Sequence, residues 1–221
     1  VLRGRADPGR LLKALDLHRP DIVVIQEWTA RAKERLGPTL EARFPHRVEA
    51  MGEHSSGQAI FSKRIFSEPT RTMAPSPIAE PQMTVTVELE GRPLHVTNVH
   101  VPPPVSAVHR REQRRMTALL AADVECDDAG RPHILAGDFN AVSRSANLHR
   151  LRVAGWHEAH RGAGAIGRGS TWPWIGALRW APGIRLDHVL HTDELACEAS
   201  AVCGDVGSDH APVVARLRWA N

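Results

Sequence analysis

Residues 83–100 read M-T-V-T-V-E-L-E-G-R-P-L-H-V-T-N-V-H. Met83, Val85, Val87 and Leu89 fall on one face and Thr84, Thr86 and Glu88 on the other, the period of a half-buried strand. Gly91-Arg92 then turns the chain into a second apolar run, 94–99, so the stretch predicts a β-hairpin. The next element is not another hairpin. After Pro102-Pro103-Pro104, residues 105–124 place Met116, Leu119, Leu120 and Val124 at helical spacing, and 133–136 is a short apolar strand. Upstream, 10–17 carries a short helical face and 22–25 is a β-branched strand ending at Gln26-Glu27. A second short helix comes next over 29–40, then strands at 47–51 and 58–61 divided by the polar turn 52–57. Residues 64–82 are Pro-rich and suit an edge or surface. Downstream come a glycine-dense loop at 162–169, a segment 171–180 with Trp172, Trp174 and Trp180, and apolar segments at 184–190, 199–203 and 211–217. Hairpins mixed with strand–helix crossovers predict an α/β protein with two sheets packed together and helices outside, not one parallel sheet.

The bulk numbers fit that expectation. A chain of 221 residues suits one domain, 1–221, able to bury a substantial core. Apolar residues make up 42% and charged residues 24%, ordinary for a globular protein. The net charge is only +3, and Arg supplies 25 of the 28 basic residues. Such a surface permits a phosphate or nucleic-acid partner without demanding one, and the Arg excess equally fits biased base composition. No run has the length of a membrane span and the start has no signal-peptide stretch. Because the chain opens at Val1-Leu2-Arg3-Gly4 without Met, it reads as a piece of a longer protein. Cys126, Cys197 and Cys203 form no zinc motif; Cys197 and Cys203, six apart, either bridge, which would suit an oxidising compartment, or are ordinary buried thiols.

Polar residues cluster where apolar runs end. Residues 134–140 read I-L-A-G-D-F-N, and 207–210 read G-S-D-H ahead of a last apolar run. Strand rims are where an α/β protein places chemistry, because the strand fixes the backbone and the rim meets solvent. Phosphoester cleavage needs a divalent cation, a base for water and donors for developing charge, and magnesium favours a few carboxylates. Glu27 fits such a ligand; a solvated strand-end Glu is the plain alternative. Asp138 and Asn140, two apart, project the same way on an extended backbone, so one can orient water while the other meets phosphate; an Asx-turn is the plain reading. Phe139 faces the core. His210 is the candidate base, with Asp187 from another strand as its orienter and Asp209 free to approach a metal. His188 points away and reads as structural. His100 can donate to a phosphate oxygen, with Asn98 sharing that task or supporting it. The tryptophans line a cleft or pack in the core.

Taken in order, Q-E at 26–27, N-V-H at 98–100, G-D-F-N at 137–140, R-L-D-H at 185–188 and G-S-D-H at 207–210 resemble the endonuclease/exonuclease/phosphatase superfamily, the DNase I-like metal-dependent phosphoesterases. The series spans nearly the whole chain. The resemblance implies a four-layer α-β-β-α sandwich of two packed mixed sheets with the site at one rim. It implies Glu27 as Mg²⁺ or Mn²⁺ ligand, Asp209 as the second metal-side carboxylate and His100 as a phosphate contact. Asp138 would position or activate the nucleophile, Asn140 would bind phosphate and orient Asp138, Asp187 would partner the catalytic His, and His210 would be base or phosphate-binding His. Members differ on whether Asp or His takes the water proton. Relatives begin with a strand ending in Asn, and residues 1–4 resemble the stretch just after that Asn, so the strand is expected to be missing here. The block 7–21, D-P-G-R-L-L-K-A-L-D-L-H-R-P-D, also resembles a bacterial subgroup whose domain comes after membrane-spanning helices, implying a membrane-anchored parent with this domain on the outer side. The expected activity is phosphodiester hydrolysis by a metal-positioned water, with DNA or RNA as substrate and a monomeric protein. A phosphatase or phospholipid phosphodiesterase is the alternative within the class, and a non-catalytic binding module on the same fold is the alternative outside it.

Overall fold

In the computed structural model the described residues are 6–54, 56–68, 70–72, 78, 82–125, 130, 132–161, 165–166, 169–174, 176–180 and 182–220, those at 72, 123–125, 165–166 and 179–180 by backbone alone. The expectations for 1–4, for Cys126, for most of the loop 162–169 and for the Trp180 side chain lie outside them.

Helix α1 (Pro8–His18) starts where Asp7 accepts the Arg10 N–H at 2.8 Å and Pro8 sets the first turn, and it stops at left-handed Arg19. Strand β1 (Ile22–Gln26) comes next, then α2 (Ala30–Glu41), capped by the Thr29 hydroxyl. After it run β2 (His46–Met51), β3 (Gly57–Ser62), β4 (Arg71–Thr72), β5 (Met83–Leu89) and β6 (Arg92–His100). The turn between β5 and β6 has positive φ at both Glu90 and Gly91, which matches the twist of a tight hairpin. Helix α3 (Ala107–Glu125) crosses over to β7 (His133–Asp138), which runs parallel to β6. The chain ends with α4 (Ala146–Val153), β8 (His157–Glu158), β9 (Ala165–Ile166), β10 (Asp187–His191), β11 (Leu195–Val202) and β12 (Val213–Trp219).

The result is an α/β fold with helices on mixed sheets. The pairing, however, gives three sheets among the described residues where the sequence suggested two: β4-β5-β6-β7-β10-β8, β1-β3-β2 and β12-β11-β9. The Pro-rich segment does supply an edge, since β4 is the outermost strand of the large sheet. Among the described residues β1 pairs only with β3 and β12 only with β11. Their other edges flank a cavity of about 1050 Å³, bounded by Ile22–Gln26, by residues 213–218 and by Val87, Leu94, Val96 and Ile134 of the large sheet. Three apolar clusters hold the layers. One joins α1 and α2 to β1 and β3 around Trp28, Leu36, Phe44 and Phe61; one joins Ile60 to Val85, Val87 and Val96; the third sets α3 and α4 on the far face of the large sheet through Leu120, Leu135, Phe139, Leu148 and Trp156.

The cysteine bridge is not formed: Cys197 and Cys203 are both free. Cys197 lies in β11 and Cys203 just beyond its end. Six extended residues span roughly 20 Å, far beyond the ~6 Å Cα separation of a disulfide. Burial pushes the Cys203 thiol up to about 11. Among the described residues no helix is long and apolar enough to cross a membrane.

Candidate active site

Strands β6, β7 and β10 lie side by side, and their register places His100 opposite Asp138 and Asp138 opposite Asp187. Residues paired across strands share a face, so the imidazole and both carboxylates meet at one rim. The loop after β11 brings His210 to the same point, where its Nδ1 lies 2.8 Å from Asp187 Oδ2. One ligand atom each from Asp138, Asp187 and His210 lie within 4.8 Å of one another, a candidate metal-binding cluster. Glu27 and Asp209 fall outside that trio, but both line the large cavity with His100, Asp138, Asp187 and His210. Glu27 sits at the end of β1 with a left-handed backbone, φ 57°. A non-glycine residue held there marks a local constraint at the rim.

Asn140 does not line the cavity; it fixes Asp138. Its N–H donates to Oδ1 at 2.7 Å, and its Nδ2 donates to Oδ2 at 3.1 Å and to the Val101 carbonyl at 2.8 Å. This needs the turn that Asn140 makes at φ 45°, a conformation Asn tolerates better than most residues. Gly137, one position before Asp138, has φ 144°, and a Cβ there would strike the Val99 carbonyl and crowd Gln26 Nε2 at 2.7 Å. The glycine of G-D-F-N is therefore a packing requirement of β7 against β6 and β1.

Charge is left unresolved at this rim. Burial, and then the charge of Asp187, push Asp138 up to about 7 against the pull of His210 and the Asn140 N–H. Burial works against a charged His210, yet the hydrogen bond and charge of Asp187, with Asp138 and Asp209 adding, raise it to about 9. Burial, with the charge of His210 adding, drives His100 down to about 4, so its ring is neutral at physiological pH. The arrangement offers a neutral donor, a carboxylate that can take a proton near neutrality and a carboxylate-held imidazole, the parts hydrolysis needs.

Two polar side chains named from sequence, those of Asn98 and His188, make their bonds away from the rim. Asn98 is fully buried and does not support His100 through its side chain. It donates to the carbonyls of Ile25 (2.9 Å) and Ala59 (3.0 Å) and accepts from Gln26 Nε2, tying β6 to β3 and to β1, the strand that leads into Glu27. His188 does face away, as expected: its Nε2 lies 2.9 Å from the Ala141 carbonyl and its Nδ1 3.6 Å from Glu158 Oε2. Trp172 is exposed, while Trp174 donates its backbone N–H to the Asp209 carbonyl at 2.6 Å.

Three supporting residues are not evident from sequence. Buried Gln82 receives the His100 N–H at 2.6 Å and returns a bond to its carbonyl at 3.1 Å, prolonging the β6 edge. The Thr171 hydroxyl accepts from the N–H groups of Leu186 (3.0 Å) and Asp187 (3.2 Å). Gln113 bonds the Asn140 carbonyl at 2.9 Å. Only Gln113 carries a signal, a polar residue three and four positions before Met116 and Thr117 on the buried face of its helix.

Comparison with known proteins gives a consistent result. The model of the Endonuclease/Exonuclease/phosphatase family matches residues 1–210. An endonuclease/exonuclease/phosphatase from Beutenbergia cavernae DSM 12333 superimposes with a TM-score of 0.79 at 22% identity, over 99% of this chain and 69% of that one. A humanized D. rerio TDP2 carrying 14 mutations gives 0.77 at 16% identity over 98% and 92%. The mannosyl-6-phosphatase of Bacteroides thetaiotaomicron VPI-5482 gives 0.70 at 14% over 95% and 89%. At these identities the structures share the fold. No curated protein sequence matches the chain.

Proposed function

The chain belongs to the Endonuclease/Exonuclease/phosphatase family and is a metal-dependent phosphoesterase, and from that premise we propose that it hydrolyses phosphodiesters, nucleic acid foremost, at the rim where β6, β7 and β10 end. The observation that carries the reading is the Asp187–His210 pair, 2.8 Å apart and facing Asp138. Glu27, Asp138, Asp187 and Asp209 line one cavity and bring carboxylates to it. That donor set suits a hard cation, Mg²⁺ or Mn²⁺, with Glu27 and Asp209 as its holders. Such an ion polarises a phosphoryl oxygen and lowers the pKa of bound water. The chain's own residues divide the rest. Neutral His100 donates to a phosphoryl or leaving oxygen. Asn140 keeps both Asp138 oxygens aimed. Asp187 orients His210, and between them Asp138 and His210 take and return the proton of the attacking water. Trp172, exposed beside this loop, offers a stacking face for a base.

A monoester substrate is the second reading, favoured by the likeness to a protein called mannosyl-6-phosphatase. The test is Mg²⁺- and Mn²⁺-dependent hydrolysis of bis-p-nitrophenyl phosphate, p-nitrophenyl phosphate and plasmid DNA, beside an Asp138→Ala, His210→Ala double variant. Metal-dependent diester turnover lost in the variant supports the proposal. Turnover of the monoester alone moves the assignment to a phosphatase, and no turnover from folded protein moves it to a binding module.

We also infer that β1-β3-β2 and β12-β11-β9 are halves of one layer, so that residues 1–221 form a single four-layer sandwich. The support is the cavity between β1 and β12, which among the described residues share no ladder, with apolar side chains of the large sheet lining it. A strand edge that faces a cavity favours backbone pairing, which an apolar small molecule would not supply and an extended strand would. That seat fits the strand that the family resemblance puts ahead of Val1. Restoring upstream sequence of the parent polypeptide should raise Tm by at least several degrees; an unchanged Tm would leave the two halves as separate sheets.

A further inference from the structure

Behind the rim, a chain of buried amides runs from α4 through α3 to the loop that holds Asp138. Asn147 Nδ2 donates to Gln113 Oε1 at 2.8 Å. Gln113 Nε2 donates to the Asn140 carbonyl at 2.9 Å and lies 3.4 Å from the Pro102 carbonyl. Both side chains are buried, Gln113 at 6% and Asn147 at 8% exposure, so neither bond is made to be shared with water. The chemistry fixes the orientation. Two carbonyls can only accept, so the Gln113 NH₂ must face them, and its oxygen is then left to the Asn147 donor. A flipped amide would set oxygen against oxygen twice.

The two carbonyls belong to the loops that come after β6 and β7, the strands carrying His100 and Asp138. Asn140 is in the left-handed region, φ 45°, and only in that turn do its N–H and Nδ2 reach both Asp138 oxygens. Its side chain is tied on the near side to the Val101 carbonyl. Its peptide carbonyl is tied on the far side by the Gln113 amide.

We propose that Gln113, oriented by Asn147, is a positioning residue for the hydrolytic reaction: it holds the Asn140 turn, and through Asn140 the aim of Asp138. The inference rests on the proposed roles of Asp138 and Asn140 in hydrolysis. Gln113→Met keeps volume and removes the amide. It is expected to lower kcat for bis-p-nitrophenyl phosphate by about 10- to 100-fold with KM changed less than about threefold, the scale of a small misplacement at a reacting centre. In metal-free protein the Asn140 amide proton should exchange with solvent about tenfold faster or more, because the turn that buries it opens. In an Asn140→Ala background the same Gln113→Met change should cost less than about twofold, since the group it acts through is gone. Should Gln113→Met fail to fold, Asn147→Ser, which frees the Gln113 amide to turn, provides the same three readouts with smaller effects.

Equal losses of kcat in the wild-type and Asn140→Ala backgrounds would overturn the proposal, as would unchanged exchange at Asn140. Asp138→Ala and Asn140→Ala separate the two levels. If they retain full activity, the reading of the site has failed; if they lose activity while Gln113→Met keeps it, only the relay has failed.

Discussion

One dipeptide, Asp187-His188, sends its side chains to opposite faces of β10, and each completes a carboxylate–imidazole pair. On the front, Asp187 meets His210 at 2.8 Å, at the edge of a large cavity and directly across from a second carboxylate, Asp138. On the back, His188 meets Glu158, whose oxygens also take the Ser143 hydroxyl at 2.6 Å and the Arg152 guanidinium, with Arg161 at 3.6 Å. The chemistry is the same and the surroundings are opposed. Burial and like charge push Asp138 up to about 7. At Glu158 burial also penalises the anion, but nearby His188, the Ser143 hydroxyl and the Arg152 guanidinium outweigh it and hold the acid down to about 2. The back pair has its charge answered and serves as structure. The front pair matches its own charges but leaves the neighbouring Asp138 carboxylate buried against Asp187, which is costly for folding and useful for chemistry.

The largest expected effect separates the two by removing the front conflict. Asp138→Asn should reduce kcat on bis-p-nitrophenyl phosphate by about 10³-fold or more, the scale seen when a catalytic carboxylate becomes an amide. The same change relieves a cross-strand like-charge contact and gives up one of the two Asn140 bonds to the side chain, so Tm should rise by a few degrees at most, on the order of 1 kcal/mol net. A fall in Tm would mean that Asp138 is structural and that the contrast is drawn wrongly.

Glu158→Gln should do the reverse. It leaves Arg152, Arg161 and His188 without their anion, and breaking such a buried arrangement costs about 3 kcal/mol or more. For a chain of this size the melting temperature should drop by roughly 6–12 °C, while kcat of the folded protein stays within about tenfold. Activity loss as large as that of Asp138→Asn would erase the distinction between the faces.

Acid then sharpens the contrast without mutation of the front. The Glu158 acid is depressed in the folded protein, from 4.5 to about 2, so the proton favours the unfolded chain. Its stabilisation is fully present above about pH 4.5 and is lost as pH falls toward about 2, up to about 3 kcal/mol in all. The groups facing it, Arg152, Arg161, His188, His160 and Arg185, are cations or imidazoles, and none brings a competing carboxylate. Urea unfolding at several pH values should show the wild-type advantage over Glu158→Gln steady at pH 5–7 and shrinking to nothing near pH 2. A gap independent of pH would show that packing and not charge holds the back pair.

Much of the front was legible because its residues close strands. Asp138, Asp187, His100 and His210 each lie just before or just after an apolar run, and the hairpin 83–100 was readable from its alternation and its glycine turn at Gly91. The back was not. Glu158 lies in a two-residue strand after α4, a short helix with no strong apolar stripe, and nothing local distinguishes its carboxylate from a surface one. Asn98 and Gln82 were out of reach for a related reason: their partners are backbone groups of other strands, 39 and 73 or 18 residues away. The division into three sheets also depends on which edges meet across long separations. Alternation along one strand carries no such information.

Thr171 gives the finest cut between the faces. Its hydroxyl takes the N–H groups of Leu186 and Asp187, its own N–H donates to Ile184, and its carbonyl takes the N–H of Ala211 next to His210. It therefore joins the start of β10 to the His210 loop, touching the backbone around the front pair and neither of its side chains. Thr171→Val keeps the shape and leaves two amides without an acceptor, for about 1–2 kcal/mol. The expected result is a Tm lower by a few degrees and kcat lower by a few-fold. Thr171→Ser restores the acceptor and should recover kcat, although it loses a methyl. Recovery by Ser but not Val would show that the front pair depends on the backbone register of Asp187. Ser and Val failing alike would assign the effect to packing, and the front would then resemble the back more closely than its charges suggest.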